Sequence, residues 1–214
     1  MSGDDRDLVL GEQTLSTTFL MEMELDTLSM LYEHAVTRVE DTAELTGVHE
    51  EMEEILDEAA ERASEELARY GVDLDIEARY NPRLQGGKWA DDGAVEVGGP
   101  GRCDRPYRLG TEITHEALHG YAEEQRDADH YTAREEGLMQ TWNLYYDDVI
   151  ESEEEREEHL DDVRRVYNEH GSMPEGFGDE IYEYAQRFVA MYEEVDGDPE
   201  ERMEEVLDTG MGLL

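Results

Sequence analysis

The chain has 214 residues, 59 of them acidic and 17 basic, and its formal net charge at pH 7 is −42. A surface of this sign repels phosphates, so nucleic acid is disfavoured as a partner. The single cysteine, Cys103, excludes an internal disulfide. No segment approaches the roughly 20 apolar residues of a membrane span, and residues 1–5 show neither the basic nor the apolar part of a signal peptide. We therefore expect a cytoplasmic protein without a membrane partner.

The N-terminal part of the sequence predicts two amphipathic helices. Residues 1–12 are polar, and from Thr14 to Leu45 apolar residues recur at alternating spacings of four and three, which is typical of a helix with one packed face. Gly47 is expected to end this helix, and a second helix follows at about Val48–Tyr70. We interpret residues 1–47 as a helical appendage whose apolar face packs on the rest of the chain. The alternative is that this face binds a partner or a second copy.

The next segment predicts short strands. Val72–Ala78 alternates apolar and acidic residues, as a strand with one buried face does. Asn81-Pro82 indicates a turn, Gly86-Gly87 indicates a loop, and Ala94–Val97 indicates another short strand. Helices on both sides of these strands predict an α+β fold, mostly helical with a small mixed sheet.

The C-terminal half predicts only helices. We divide it into the end of a catalytic core spanning residues 48–150 and a helical subdomain spanning residues 151–214. The acidic run at the start of that subdomain is interpreted as a solvated helix face. The helices are expected at about Leu109–Glu124, Thr132–Ile150, Glu151–His170, Asp179–Val195 and Pro199–Leu207.

A metal-binding motif lies on the first of these helices, at His115-Glu116-Ala117-Leu118-His119. Residues four apart lie on one face of a helix, so His115 and His119 can bind one ion. Glu116 is placed to reach a water on that ion and to act as a general base. The pattern His-Glu-x-x-His therefore predicts a zinc site. The alternative is an accidental motif in a metal-independent helical interaction protein.

A catalytic zinc site needs a third protein ligand. The metzincin pattern would place Gly and His three and six residues after His119, but Ala122 and Gln125 stand there. The carboxylates at the start of the following helix are the next candidates, with a connector histidine as a rival. The candidates are Glu135, Glu136 and His130.

The two segments together resemble the gluzincin peptidases, in which the motif helix is followed by a helix whose ligand Glu often precedes Gly and an apolar residue. Glu136-Gly137-Leu138 matches that element. The resemblance implies a zincin-like fold, a peptide or protein substrate, and hydrolysis by a metal-activated water. It implies that the strand near Asp91–Val97 is the cleft edge that pairs with an extended substrate. The implied zinc ligands are His115, His119 and Glu136, with Glu116 as the base.

The sequence departs from this family in two places. Gln140 stands where thermolysin-like members have an Asp that orients the first ligand His, and its amide oxygen could take that role. The Gly-x-Met-Glu-Asn segment of the aminopeptidases is absent, which favours an endopeptidase. Glu112, one turn before His115, is a second candidate for orienting that ring. The reaction also needs a hydrogen-bond donor that stabilises the negatively charged oxygen of the tetrahedral intermediate. The candidates for this donor are Tyr145, Tyr146, His170, Tyr182 and Tyr184.

The composition resembles that of proteins from extremely halophilic archaea or their viruses, because Lys88 is the single lysine beside abundant Asp and Glu. At molar salt the Debye length falls to about 3 Å, which screens self-repulsion. We therefore expect the protein to lose stability in dilute buffer. The alternative function is a catalytically inactive zincin-like structural or regulatory protein that acts by binding a partner.

Overall fold

The computed structural model describes residues 7–10, 13–16, 42–99, 108–126, 131–146, 150, 152–170 and 173–214. Cys103, His130 and most of the predicted Thr14–Leu45 helix lie outside these residues. The described part contains six helices and five strands. The chain divides into two compact units, of which the second includes Thr114–Leu214 and therefore the candidate ligands. The first unit comprises Met1–Ala63, Asp75–Gly101 and Pro106–Ile113, and the second comprises Ser64–Leu74, Arg102–Arg105 and Thr114–Leu214.

The described N-terminal residues form a hairpin rather than the start of a helix. Strands β1, Asp7–Leu10, and β2, Gln13–Ser16, pair antiparallel. In this register Leu8 lies opposite Leu15. The prediction of a helix beginning at Thr14 is therefore wrong at these positions.

Helix α1, Thr42–Arg69, is longer than predicted. It continues through Gly47, so the predicted break there is wrong. A glycine inside a helix costs only about 1 kcal/mol relative to alanine and does not by itself end it. The helix ends at a turn containing Gly71, whose φ is +76°. The division of the chain into residues 1–47, 48–150 and 151–214 stays a prediction.

A three-stranded mixed sheet follows α1 in the first unit. Its strands are β3, Glu77–Gln85, β4, Gly87–Trp89, and β5, Ala94–Gly99. The order is β3-β5-β4, with β3 parallel and β4 antiparallel to β5. Val95 and Val97 on β5 are fully buried. Helices combined with this small sheet confirm the predicted α+β class.

Three predictions about the sheet need correction. Val72–Ile76 is not a strand: Val72 and Ile76 are buried as their alternation predicted, but the segment has no strand partner among the described residues. Asn81-Pro82 lies inside β3, at an irregularity between Tyr80 and Gln85. The strand near Asp91–Val97 cannot offer a free edge to a substrate, because β5 is central and is paired on both sides.

The structure confirms the predicted C-terminal helices, although the last one ends at Leu213 instead of the predicted Leu207. In the second unit α3 packs against α5 and α6, and α5 also packs against α4. Reciprocal capping boxes fix two helix starts, Ser152 with Glu155 on α4 and Asp198 with Glu201 on α6. No helix among the described residues is both long and apolar enough to cross a membrane. The bounds are α2, Leu109–Arg126; α3, Ala133–Tyr146; α4, Glu153–Glu169; α5, Phe177–Glu194; and α6, Pro199–Leu213.

Helix α3 is the central element of the second unit, because most of its residues are buried on every side. Its neighbour α5 approaches closely at Gly137, where an added Cβ would lie 2.6 Å from the Cβ of Tyr184. A helix in this position is normally apolar all round. Five of the buried α3 residues are instead polar, and four of them belong to the candidate site. These polar residues are Glu135, Glu136, Gln140, Thr141 and Asn143.

Candidate metal centre

Helices α2 and α3 bring the predicted ligand residues together. His115 and His119 stand one turn apart on α2, with ring centroids 4.9 Å apart. Glu136 lies in the first turn of α3, where its backbone N–H donates to the carbonyl of Thr132 at 3.0 Å. The indole N–H of Trp142 on α3 donates to the hydroxyl of Thr114 at 2.9 Å and ties the two helices together beside His115.

Three potential ligand atoms converge at this point. The Nε2 atoms of His115 and His119 are 3.2 Å apart. The Oε2 atom of Glu136 lies 3.1 Å from Nε2 of His119 and 3.8 Å from Nε2 of His115. Tetrahedral zinc with ligands at about 2.0–2.1 Å sets ligand atoms about 3.3 Å apart, which these distances bracket. The three residues are 5%, 6% and 1% exposed, so the group could hold a metal ion within the protein.

Glu135 orients the second imidazole rather than joining the ligand set. Its Oε1 atom lies 2.7 Å from Nδ1 of His119, and it is itself buried. A carboxylate accepts hydrogen bonds, so the proton of a neutral His119 is held on Nδ1 and the lone pair of Nε2 faces Glu136. This carboxylate–histidine arrangement is the usual support of a metal-binding histidine. The two carboxylates that the sequence left open thus take different positions.

Asn143 orients the first imidazole. Its side-chain Oδ1 and Nδ2 atoms lie 3.2 and 3.0 Å from Nδ1 of His115. When Oδ1 accepts the Nδ1–H proton, the lone pair of Nε2 is presented to the ligand group. Sequence reasoning did not find Asn143. A signal was available, because Glu136, Gln140 and Asn143 stand at spacings of four and three and share one face of α3.

Gln140 contacts the ligand carboxylate instead of His115, so its predicted role is wrong. Its Nε2 donates to Oε1 of Glu136 at 2.6 Å. Its Oε1 lies 2.9 Å from Nε2 of His159 on α4. The difference follows from helix geometry, since residues four apart are neighbours and Gln140 stands one turn after Glu136.

Tyr131 is a second site residue that sequence reasoning missed. Its hydroxyl donates to Oε2 of Glu136 at 2.5 Å and lies 2.8 Å from the hydroxyl of Tyr167. Its ring lies 5.3 Å from that of His119. Burial, followed by the negative charge of Glu136, raises the pKa of Tyr131 well above its ordinary value. The hydroxyl therefore stays protonated and is a hydrogen-bond donor in the site.

The charges of the site favour a cation among the three ligand atoms. Burial disfavours a charged His119, but its hydrogen bonds to Glu135 and Glu136 outweigh burial and raise its pKa to about 10. Burial likewise disfavours a charged Glu136, but His119 and His115 hold the pKa of Glu136 far below its ordinary value. In the metal-free chain a proton on His119 provides the positive charge. A metal ion would replace that proton and require the neutral imidazole.

The remaining predicted residues have varied positions. Glu116 follows His115 on α2 and is half-buried. Burial and then Glu136 raise the pKa of Tyr167, and hydrogen bonds to Glu135 and Glu136 raise that of His119 against the effect of burial; the charge of Glu116 adds a smaller effect to both. Glu112 is buried one turn before His115, and its orienting role stays a prediction.

The five oxyanion candidates have contacts that suit packing or capping. Tyr145 stacks on Tyr192, Tyr146 stacks on Trp142, Tyr182 donates to Glu157, Tyr184 faces Arg134, and His170 caps α4.

These residues fit a divalent transition metal chemically. Two imidazole nitrogens and one carboxylate oxygen form a donor set used by catalytic zinc. Each ligand is oriented by a further side chain: Glu135 for His119, Asn143 for His115, and Gln140 with Tyr131 for Glu136. In comparisons with protein families, with curated proteins and with solved structures, nothing matches this chain.

Proposed function

We propose that this chain is a zinc-dependent metallopeptidase that hydrolyses peptide bonds with an activated water. The observation that supports this best is the convergence of three buried acceptor atoms, at 3.1, 3.2 and 3.8 Å from one another. Lone pairs this close repel one another unless a positive charge lies among them, either the proton on His119 in the metal-free chain or a metal ion that replaces it. Their supporting hydrogen bonds direct all three inward.

Zinc is the metal that this donor set and the motif favour. His115, His119 and Glu136 would hold it, with a fourth position left for water or substrate. Bound zinc polarises a carbonyl group and lowers the pKa of water towards about 7.

Glu116 is proposed as the general base. It follows a ligand histidine directly, and unlike the ligands it is only half-buried. Its carboxylate would accept the proton of the attacking water and return it to the leaving amine. The charge of Glu116 is among the smaller causes that raise the pKa values of His119 and Tyr167, which supports a role near the ligand group.

Tyr131 is proposed as the hydrogen-bond donor for the negative charge that develops on the substrate oxygen. Its single O–H proton is donated to Oε2 of Glu136, one of the proposed ligand atoms, so the hydroxyl would have to turn from that carboxylate to the substrate oxygen during the reaction. Tyr131 is 37% exposed, but its hydroxyl is fixed beside the buried Glu136, and a fixed donor stabilises such a charge more strongly than water does. The second hydroxyl, that of Tyr167, can hold the Tyr131 hydroxyl in place.

The peptide substrate rests on the resemblance of the two motifs to gluzincins, and the experiment must test it separately from metal binding. The purified protein would be reloaded with zinc in molar KCl, its zinc content measured, and casein and a peptide library offered as substrates. We expect about one zinc per chain and cleavage within the peptides.

The discriminating variants are Glu116→Gln and Glu123→Gln. Glu123 is an exposed residue of the same helix, so its variant controls for loss of one surface charge. Glu116→Gln should bind zinc and lose nearly all cleavage, whereas Glu123→Gln should behave as wild type. A chain that takes up no zinc refutes the proposal. Zinc uptake without cleavage by wild type would instead support the inactive zincin-like alternative.

A further inference from the structure

The buried face of α4 carries a polar residue for which the proposed reaction gives no reason. The helix is acidic and largely exposed, and its buried residues are His159, Leu160 and Val163. His159 is 1% exposed. An imidazole is costly to bury unless it forms hydrogen bonds, so the partner of His159 shows what it does.

That partner connects His159 to the proposed metal ligands. Nε2 of His159 lies 2.9 Å from Oε1 of Gln140, and Nε2 of Gln140 donates to Oε1 of Glu136 at 2.6 Å. An amide oxygen only accepts hydrogen bonds, so His159 must donate through Nε2–H. The chain of donors therefore runs from α4 through α3 to the ligand carboxylate.

We propose that His159 is a positioning residue of the metal centre, acting through Gln140 on Glu136. The inference rests on the proposed zinc site. A glutamine amide has nearly the same shape in both orientations, and the reversed one would turn its oxygen towards the Glu136 carboxylate. The N–H of His159 favours the orientation in which the amide donates. Oε1 of Glu136 is then occupied and Oε2 stays directed at the imidazoles.

Zinc affinity measures this role without relying on catalysis. Competition with a chelator of known affinity, in molar KCl, would compare wild type with His159→Leu and His159→Gln. Loss of an outer hydrogen-bond partner typically weakens metal binding by about 10–100-fold, and we expect His159→Leu near the lower limit because it acts through one intermediate. His159→Gln keeps an N–H donor of similar reach and should recover most of the affinity.

Two controls separate positioning from general damage. Leu160→Ala removes the buried neighbour of His159 and should lower the urea midpoint while leaving zinc affinity unchanged. In a Gln140→Leu background, His159→Leu should cause no further loss of zinc affinity, because the connection is already broken. Equal losses in Leu160→Ala and His159→Leu, or additive losses in the double variant, would overturn the inference.

A spectroscopic measurement on the wild type covers the case in which His159→Leu does not fold. In EDTA-treated protein, nitrogen-15 NMR of the imidazoles should show His159 with its proton on Nε2. A proton on Nδ1 alone would overturn the inference while leaving the zinc site intact. A wild type that binds no zinc would instead remove the proposed function and this inference together.

Discussion

Replacing Gly137 by alanine tests the arrangement of α3 and α5 that positions Glu136. An added Cβ would lie 2.6 Å from the Cβ of Tyr184, 2.9 Å from the backbone nitrogen of Ala185 and 3.1 Å from the carbonyl oxygen of Ile181. Ordinary contacts are about 3.5–4.0 Å, so the helices would have to separate by roughly 1 Å. Two of the three contacted atoms are backbone atoms, which cannot rotate away.

The expected cost follows from two opposing effects. Overpacking of this kind typically costs about 1–3 kcal/mol of the free energy of unfolding. We expect a cost near the upper limit because the contacted backbone atoms cannot move aside. The higher helix propensity of alanine returns about 1 kcal/mol. We therefore expect Gly137→Ala to lower the free energy of unfolding by about 2 kcal/mol, which in a chain of this size lowers the melting temperature by about 4–8 °C.

Gly212→Ala is the matched control for this substitution. Gly212 lies near the end of α6, and an added Cβ there meets no atom within 4 Å. It should be neutral or stabilising by less than about 1 kcal/mol. Urea unfolding in molar KCl with EDTA gives the comparison without a contribution from bound metal. If Gly137→Ala proves as stable as Gly212→Ala, the close packing of α3 on α5 is refuted.

Three further predictions concern the site. Glu136→Ala removes a proposed ligand and should weaken zinc binding by more than about 100-fold, whereas Glu135→Gln removes the carboxylate that orients His119 and should weaken it by about 10–100-fold. Chelator competition measures both affinities, and the reverse order of losses would exchange the roles of Glu135 and Glu136. Tyr131→Phe should lower kcat by about 10²–10³-fold with little change in KM, and unchanged peptide turnover would remove Tyr131 from the mechanism. In EDTA-treated protein the raised pKa of His119 implies stability that is fully present below pH 6.5 and lost as the pH rises through about 10. The urea midpoint of wild type should therefore fall over this range more than that of His119→Gln.

The sequence predicted the elements whose residues show clear periodicity. Helices α4, α5 and α6 have one buried and one exposed face. The predicted bounds of α4 and α5 agree closely with the structure, whereas α6 continues to Leu213, beyond its predicted end at Leu207. The strands were harder to predict. Alternation in residues 72–76 correctly indicated that Val72 and Ile76 are buried, while Leu74 is half-buried, but burial alone does not specify a hydrogen-bonded partner strand. Pairing in a sheet depends on distant residues, which a local pattern does not contain.

Helix α3 shows why only part of the site was predictable. The motif and Glu136 were recognised because they have fixed spacing within a short segment. Asn143 contacts His115 only after α2 and α3 pack together. Tyr131 reaches Glu136 from five residues earlier in the chain, and no motif joins either residue to the histidines. The general rule that a buried helix is apolar does indicate the site, since Glu136, Gln140 and Asn143 form a polar stripe inside the second unit.

Salt dependence tests the expected adaptation to high salt. If every one of the 17 basic residues paired with an acidic residue, 59 − 17 = 42 acidic residues would still have no basic partner. Salt weakens attractive pairs such as Arg79 with Asp92, whose atoms approach to 2.7 Å. It also weakens repulsion among the excess carboxylates, and repulsion is the larger effect because the excess is so great.

The urea midpoint should therefore rise between 0.15 and 2 M KCl, as the Debye length falls from about 8 Å to about 3 Å or less. Screening should saturate once the Debye length is shorter than the spacing between carboxylates, whereas general salting-out by an excluded salt continues to grow. A rise that levels off near molar KCl would indicate relief of self-repulsion. An unchanged urea midpoint across the series would contradict the proposed adaptation to high salt, because repulsion among the excess carboxylates would then have little effect on stability.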